Sequence, residues 1–341
     1  MYQSIRPWLF RQDAETVHGL TLRLLHWSGN FVLSRLLLQR LFACRDVRLE
    51  VELFGLRFLN RVGLAAGYDK NGSALAGLAC LGFGHLEVGT VTRCAQVGNP
   101  RPRVHRVPEA EALINSMGFP NDGVDRLQLL PPTARNGVRI GVNIGKGKET
   151  PLERAAEDYC ALLERVYRRA DYVVLNVSSP NTPHLRQLQT QQALTALLSQ
   201  VTGLRNQLTP RVPILVKIAP DLSLAEIDDV LAAISMTGVD GIIATNTTVE
   251  RGAIPAKYQG LAGGLSGAPL RAQATAVVRY IAQHTEGRLP IIGVGGIMRA
   301  SDALARLEAG AHLVQLYTGL VYSGPGLVRQ INQLLLMNAN R

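Results

Sequence analysis

Lysines, side-chain amides and hydroxyls recur at one kind of place in this sequence, at the ends of short apolar runs rich in β-branched residues. Gly67-Tyr68-Asp69-Lys70 follows the run at 62–66, Thr90 lies at the end of 85–91, and Asn143 lies at the end of 138–144. Asn176-Val-Ser-Ser179-Pro-Asn181-Thr182 continues the run at 172–177, and Lys217 lies at the end of 213–218. Thr245-Asn246-Thr247-Thr248 continues 241–245, Gly293-Val-Gly-Gly296 continues 290–294, and Tyr317-Thr318-Gly319 continues 313–317. A lysine at such a place attracts a carboxylate or phosphate. Amides donate and accept toward a planar polar ligand. A serine hydroxyl can move a proton if desolvated. A glycine turn ahead of a helix offers backbone N–H groups to a phosphate.

Other chemistries lack their residues. No G-x-G-x-x-G follows the first run, so a Rossmann nicotinamide site has no support. Gly145-Lys-Gly-Lys-Glu-Thr150 has the wrong spacing for a Walker A loop. The seven histidines are dispersed, with no H-E-x-x-H, and no metal is expected. Cys44, Cys80, Cys94 and Cys160 form no C-x-x-C pair, which fits a reducing compartment.

The elements that must position these groups follow from the same runs. Eight strand patterns, at 62–66, 85–91, 138–144, 172–177, 213–218, 241–245, 290–294 and 313–317, are interleaved with helical patterns at 73–81, 151–169, 191–208, 224–237, 268–283 and 300–309. Strands alternating with helices predict parallel pairing. Eight units predict an α/β fold of the (β/α)8 TIM-barrel type, whose chemistry sits at the carboxyl ends of the strands. The pattern alone also admits a doubly wound open sheet. A hairpin around Gly55 reads as a plug or linker ahead of the barrel.

Residues 1–45 differ in kind. Six arginines stand against Asp13 and Glu15, a net +4, on helices that carry Trp8, Trp27 and Phe31. Charges interrupt every apolar run before it reaches the length of a membrane span, roughly 20 residues. Short amphipathic helices of this kind either cap a neighbouring domain or lie on a membrane interface. The expected organisation is a helical segment at 1–45 and one barrel at 46–341.

The 341 residues carry 36 Lys+Arg against 26 Asp+Glu, a net charge of +10 that calls for an anionic partner. Aromatics at 5% are thin for a single-strand stacking platform, and no nucleic-acid module is present, so nucleic acid is not an expected partner.

The strand-end motifs resemble those of the dihydroorotate dehydrogenases, in particular the quinone-linked, membrane-associated class. They are Gly63-Leu-Ala-Ala-Gly-Tyr-Asp-Lys70, Glu87-Val-Gly-Thr-Val-Thr92, Asn115-Ser-Met-Gly-Phe119, Asn176-Val-Ser-Ser-Pro-Asn-Thr182, Lys217-Ile-Ala-Pro-Asp221, Ala244-Thr-Asn-Thr-Thr248, Gly263-Gly-Leu-Ser-Gly267 and Gly293-Val-Gly-Gly-Ile297. The resemblance implies one FMN per chain, oxidation of dihydroorotate to orotate in pyrimidine biosynthesis, and electrons passed to ubiquinone or menaquinone. It makes Ser179 the base at C5, helped by Thr182 or water. It gives substrate binding to Lys70, Asn115, Ser116, Met117, Gly118, Phe119, Asn176, Asn181, Asn246 and Thr247.

By the same resemblance FMN would touch Ala66, Gly67, Tyr68, Asp69, Lys70, Thr90, Asn143, Asn176, Lys217, Thr245, Gly267, Gly296, Tyr317 and Thr318. His18, Arg103 and Tyr317 match positions along the quinone tunnel. The implied state is a monomer held peripherally on the cytoplasmic face of a bacterial inner membrane. The soluble classes generally carry cysteine at the base position and lack the amino-terminal helices, so Ser179 and residues 1–45 favour the quinone class. Ser116, Pro120, Tyr68 and Asn71 depart from the common pattern of relatives, and Thr318 keeps a hydroxyl where serine is frequent. The alternatives are a soluble dihydroorotate dehydrogenase using fumarate or NAD, and a noncatalytic basic barrel that binds RNA or a membrane.

Overall fold

Apolar runs such as Tyr172-Val-Val-Leu-Asn176 have no polar alternation, so they can only be strands covered on both faces, and every residue of this one is buried. The structure, a computed structural model, describes residues 2–339. Three helices come first: α1 (Tyr2–Phe10), α2 (Ala14–Asn30) and α3 (Val32–Phe42). A hairpin of β1 (Val51–Leu53) and β2 (Leu56–Phe58) follows, then β3 (Val62–Leu64), the short helix α4 (Leu75–Leu78) and β4 (His85–Val91). β5 (Val104–Val107) and β6 (Ala112–Asn115) precede β7 (Arg139–Ile144), α5 (Ala155–Val166), β8 (Tyr172–Asn176) and α6 (Gln191–Gln207). Next come β9 (Ile214–Ile218), α7 (Leu224–Thr237), β10 (Gly241–Ala244), α8 (Ala256–Gln259) and β11 (Gly264–Gly267). The chain ends through α9 (Arg271–His284), β12 (Ile291–Val294), α10 (Ala300–Glu308), β13 (Leu313–Leu316), α11 (Thr318–Ser323) and α12 (Gly326–Ala339).

The strands β3, β4, β7, β8, β9, β10, β12 and β13 pair in that order, all parallel, and β13 closes back on β3. The fold is therefore the (β/α)8 barrel and not the open sheet. Local signals agree with it. Ser223 Oγ accepts the N–H of Glu226 at 3.3 Å while the Glu226 carboxylate accepts that of Ser223 at 2.7 Å, which starts α7, and Gly238 at φ 67° ends it.

The lower rim of the barrel, where the strands begin, is tied by side chains. Asp171, just before β8, accepts the N–H of Ile140 in β7 at 2.7 Å and the guanidinium of Arg135. Asp240, just before β10, accepts the N–H of Ile214 in β9 at 2.8 Å and the guanidinium of Arg205. His312, just before β13, accepts the N–H of Ile291 in β12 at 3.2 Å. The β1–β2 hairpin plugs this end. Phe54 sits against Gly241, and fully buried Phe58 meets the His85 ring edge-on at 5.6 Å.

Two features escape the sequence pattern. β5, β6 and β11 form a small antiparallel sheet beside the barrel mouth. The helices α11 and α12 complete the wall after β13. The amino-terminal helices dock through small residues. Gly29 of α2 lies so close to α4 that an added Cβ would fall 2.8 Å from Ala76 Cβ, and one on Gly77 would strike the Leu25 carbonyl. Phe58→Ala should empty this floor and cost about 3–5 kcal/mol, read from the urea midpoint at unchanged slope.

Candidate active site

A cleft of about 1010 Å³ opens at the carboxyl ends of the strands. Groups at the ends of seven barrel strands line it, including Lys70, Thr90, Asn176, Lys217, Asn246, Gly295 and Thr318. Asn115, from the small sheet, and Ser179 and Asn181, from the loop after β8, close one side.

Its floor is a single chain of hydrogen bonds. Asn246 Nδ2 donates to Asn176 Oδ1 at 3.3 Å, Asn176 Nδ2 to Thr90 Oγ1 at 2.8 Å, and Thr90 Oγ1 to Asn143 Oδ1 at 2.5 Å. Asn143 Nδ2 donates to Glu87 Oε1 at 2.7 Å. Lys217 Nζ reaches the same oxygen at 3.4 Å, and Gln315 Nε2 holds Glu87 Oε2 at 2.6 Å. Glu87 and Asn143 are buried beneath the cleft rather than on its wall. Sequence reasoning assigned no role to Glu87 or Gln315. A lone carboxylate and a lone amide inside otherwise apolar strands are the signal that marks them.

The wall opposite the floor holds the reactive hydroxyl candidate. Ser179 is buried and its Oγ accepts the Asn181 N–H at 3.2 Å. Asn181 Nδ2 in turn holds the Asn115 side-chain oxygen at 3.1 Å. Asn246 Nδ2 also donates to Ser178 Oγ at 3.0 Å. Arg186 braces the loop, donating to the Ser178 and Thr247 carbonyls and pairing with Asp221 at 2.8 Å. Among the described residues no hydrogen bond joins Ser179 to Thr182. Lys70, half-buried, donates to the Gly67 carbonyl at 2.7 Å, and loss of solvent pulls its ammonium down to about 8.

At the far end the chain offers a cradle. Among the described residues, the N–H groups of Gly295, Gly296 and Ile297 and those of Thr318 and Gly319 at the start of α11 have no acceptor within the protein. Gly296, at φ 72°, passes so close to the Arg271 backbone that no side chain fits there. Ser266 and Thr318 hydroxyls meet at 2.8 Å beside it. Five free donors around one end of a cleft are an anion site.

Other residues named from the sequence lie elsewhere. Asp69 accepts the N–H groups of Ser73 and Ala74 at 3.0 and 2.7 Å and so starts the α4 region. The Ser116 backbone pairs with Arg103 and Asn99, and its residue does not line the cleft. Ala66, Gly67, Met117, Gly118, Phe119, Thr245, Thr247 and Gly267 do line it. Tyr68 faces a second cavity.

That cavity, about 1090 Å³, lies between the amino-terminal helices and the barrel. Its lining is mainly apolar, with Leu9, Phe10, Val17, Leu25, Leu38 and Phe42. His18 stands edge-on to Tyr68 at 4.9 Å, and Tyr68 to Tyr317 at 5.8 Å. Burial pushes His18 down to about 4, so its imidazole is neutral at physiological pH. Burial pushes the Tyr317 phenol up to about 12. Tyr317 and Met117 border both cavities. Arg103 stays off this lining: its guanidinium holds Glu15 of α2 at 2.7 Å and the carbonyls of Val97 and Asn99.

A family model described as dihydroorotate dehydrogenase matches residues 48–338. A dihydroorotate dehydrogenase (quinone) of Thiobacillus denitrificans is 52% identical over 336 residues, covering 97% of this chain and 98% of its own length. One from Acidithiobacillus ferrooxidans is 48% identical, covering 97% and 93%. Among solved structures, the dihydroorotate dehydrogenase of Eimeria tenella in complex with ferulenol superposes with a TM-score of 0.87 at 34% identity, covering 96% of this chain and 92% of its own.

Proposed function

The chain belongs to the dihydroorotate dehydrogenase family, and from that premise we propose how its two cavities divide the work of a quinone-dependent enzyme. Its function is the oxidation of dihydroorotate to orotate with electrons delivered to a quinone, as the full-length match to quinone-type relatives supports. The observation that carries the division of labour is a polar cleft and an apolar cavity sharing Tyr317 as a common wall.

The cleft residues fit a flavin mononucleotide. The free N–H groups of Gly295, Gly296, Ile297, Thr318 and Gly319 suit its phosphate, and the wall of Ala66, Gly67 and Thr90 has room for a flat ring. A flavin held there would supply a hydride acceptor for the substrate and a carrier of the electrons to the second cavity. The chain's own residues do the rest. Asn115, Asn176, Asn181 and Asn246 hold the substrate's amide and carboxylate groups, with Thr247 beside them. Lys70 supplies the positive charge that the carboxylate needs. Ser179 Oγ takes the proton from C5 as it gives up its own, and the Asn181 N–H at 3.2 Å stabilises the negative charge that this loss places on the oxygen. The serine's own proton leaves through water. Burial keeps competing solvent away from this transfer.

The apolar cavity takes the quinone, with neutral His18 and Tyr68 near its head and aliphatic side chains along its tail. No helix among the described residues is long and apolar enough to cross a membrane. The outer faces of α1, α2 and α3 nonetheless expose Trp8, Trp27, Phe31, Leu33 and Leu36, each at least half exposed. Such a surface, with its arginines, docks onto an anionic bilayer as a peripheral attachment. The cytoplasmic face of a bacterial inner membrane and a monomeric state complete this reading.

Purified protein given dihydroorotate should form orotate with a ubiquinone analogue; turnover with fumarate alone would overturn the quinone assignment. Ser179→Ala should slow flavin reduction by dihydroorotate about 10²- to 10⁴-fold while flavin stays bound, followed by single-turnover absorbance. Orotate affinity should be level below pH 7 and fall through and above about 8 as Lys70 loses its charge, and Lys70→Met should weaken and flatten that profile; titration calorimetry across pH reads it. Replacing Trp8, Trp27 and Leu33 by Glu should release the protein from anionic vesicles in flotation assays and leave flavin reduction by dihydroorotate intact.

A further inference from the structure

Glu87 lies inside the barrel with 1% of its surface exposed, an expensive place for a carboxylate. Donors reach it from three other strands: Asn143 of β7 at 2.7 Å, Gln315 of β13 at 2.6 Å and Lys217 of β9 at 3.4 Å. The last contact is long beside the roughly 2.7–2.9 Å of a close charge-assisted bond. Lys217 has no other acceptor among the described residues, and it lines the cleft. The ammonium is thus tethered from behind, with donors left for whatever occupies the cleft.

We propose that Glu87 is a positioning residue that holds Lys217 at the flavin ring and, by cancelling its charge, sets the reduction potential of the bound flavin. This rests on the flavin reading above. Reduction places negative charge on the ring. A lone lysine in a low-dielectric site would favour the reduced form strongly. With a carboxylate directly behind it, the cleft faces a dipole rather than a net charge. The reduced flavin is then held less tightly and passes its electrons onward more readily. The roles proposed above for the substrate amides leave this carboxylate without a task in the chemistry, and packing alone is better served by an apolar residue.

Glu87→Gln is the discriminating variant, because the site can absorb it. Among the described residues Gln315 Oε1 has no partner, so its amide can turn over and accept from the new one. The readout is the two-electron potential of the bound flavin, titrated against a reference dye by visible absorbance. Glu87→Gln should shift the reduction equilibrium at least tenfold toward the reduced flavin, an upward change of about 30 mV. The double variant Glu87→Gln with Lys217→Gln removes both charges and should return to within about threefold of the wild type. Glu87→Asp keeps the charge and should also stay near wild type. If Glu87→Gln loses its flavin, Lys217→Gln takes its place: it leaves the carboxylate uncompensated and should shift the equilibrium toward the oxidised flavin, and a double variant shifted as far as Lys217→Gln would overturn the proposal. An unshifted Glu87→Gln, a double variant that keeps the shift, or an Asp variant shifted like Gln would each overturn the proposal. A wild-type protein that neither carries nor takes up FMN would instead overturn the flavin reading itself, and this proposal with it.

Discussion

Glu87 can only accept hydrogen bonds, and that one restriction gives the floor of the site its direction. Because the carboxylate takes the Asn143 amide N–H, the Asn143 oxygen is left to accept from Thr90. The Thr90 hydroxyl, having donated, accepts from Asn176, whose own oxygen accepts from Asn246. Amides and hydroxyls that could each point either way are set in one sense by a single buried charge. The ligand above meets a surface whose donors and acceptors are fixed before it arrives, which is the condition for polar recognition without reorganisation.

The same economy shapes the wall between the two cavities. Tyr317 directly follows β13, the last barrel strand, and its ring is part of the boundary of both spaces. Tyr68, from the loop after the first barrel strand, and His18, from α2, extend that boundary as a file of edge-on rings. The cleft and the apolar cavity thus share a wall of side chains, Tyr317 and Met117 among them.

The residues around the cleft were legible because a barrel strand announces itself twice, by an apolar run and by the polar group that stops it. Lys70, Thr90, Asn176, Lys217 and Asn246 all follow that grammar. The barrel itself follows from eight repeats of it. The small sheet does not. Gly264-Leu-Ser-Gly267 has poor strand propensity, and it pairs with Ala112–Asn115 across about 150 residues of chain, where no local signal reaches. α11 has only six residues, too few to show a helical period. The apolar cavity is assembled from residues between Tyr2 and Pro325, so only folding brings its lining together. Glu87 stood in a quoted motif without a role, since a strand pattern cannot say which neighbouring strands will aim donors at it.

The lower rim has a consequence of a different kind. Asp171, Asp240 and His312 each belong to the approach of one strand and satisfy an N–H in the first two residues of the strand before it. Three neighbouring strand pairs are thereby pinned together at their starting ends, by side chains that lie away from the mouth. Loops at the mouth can lengthen, shorten or exchange residues without loosening the ring that carries them. The end that ties the strands and the end that binds ligands are built from separate sets of side chains, so a change made at one leaves the other's contacts in place.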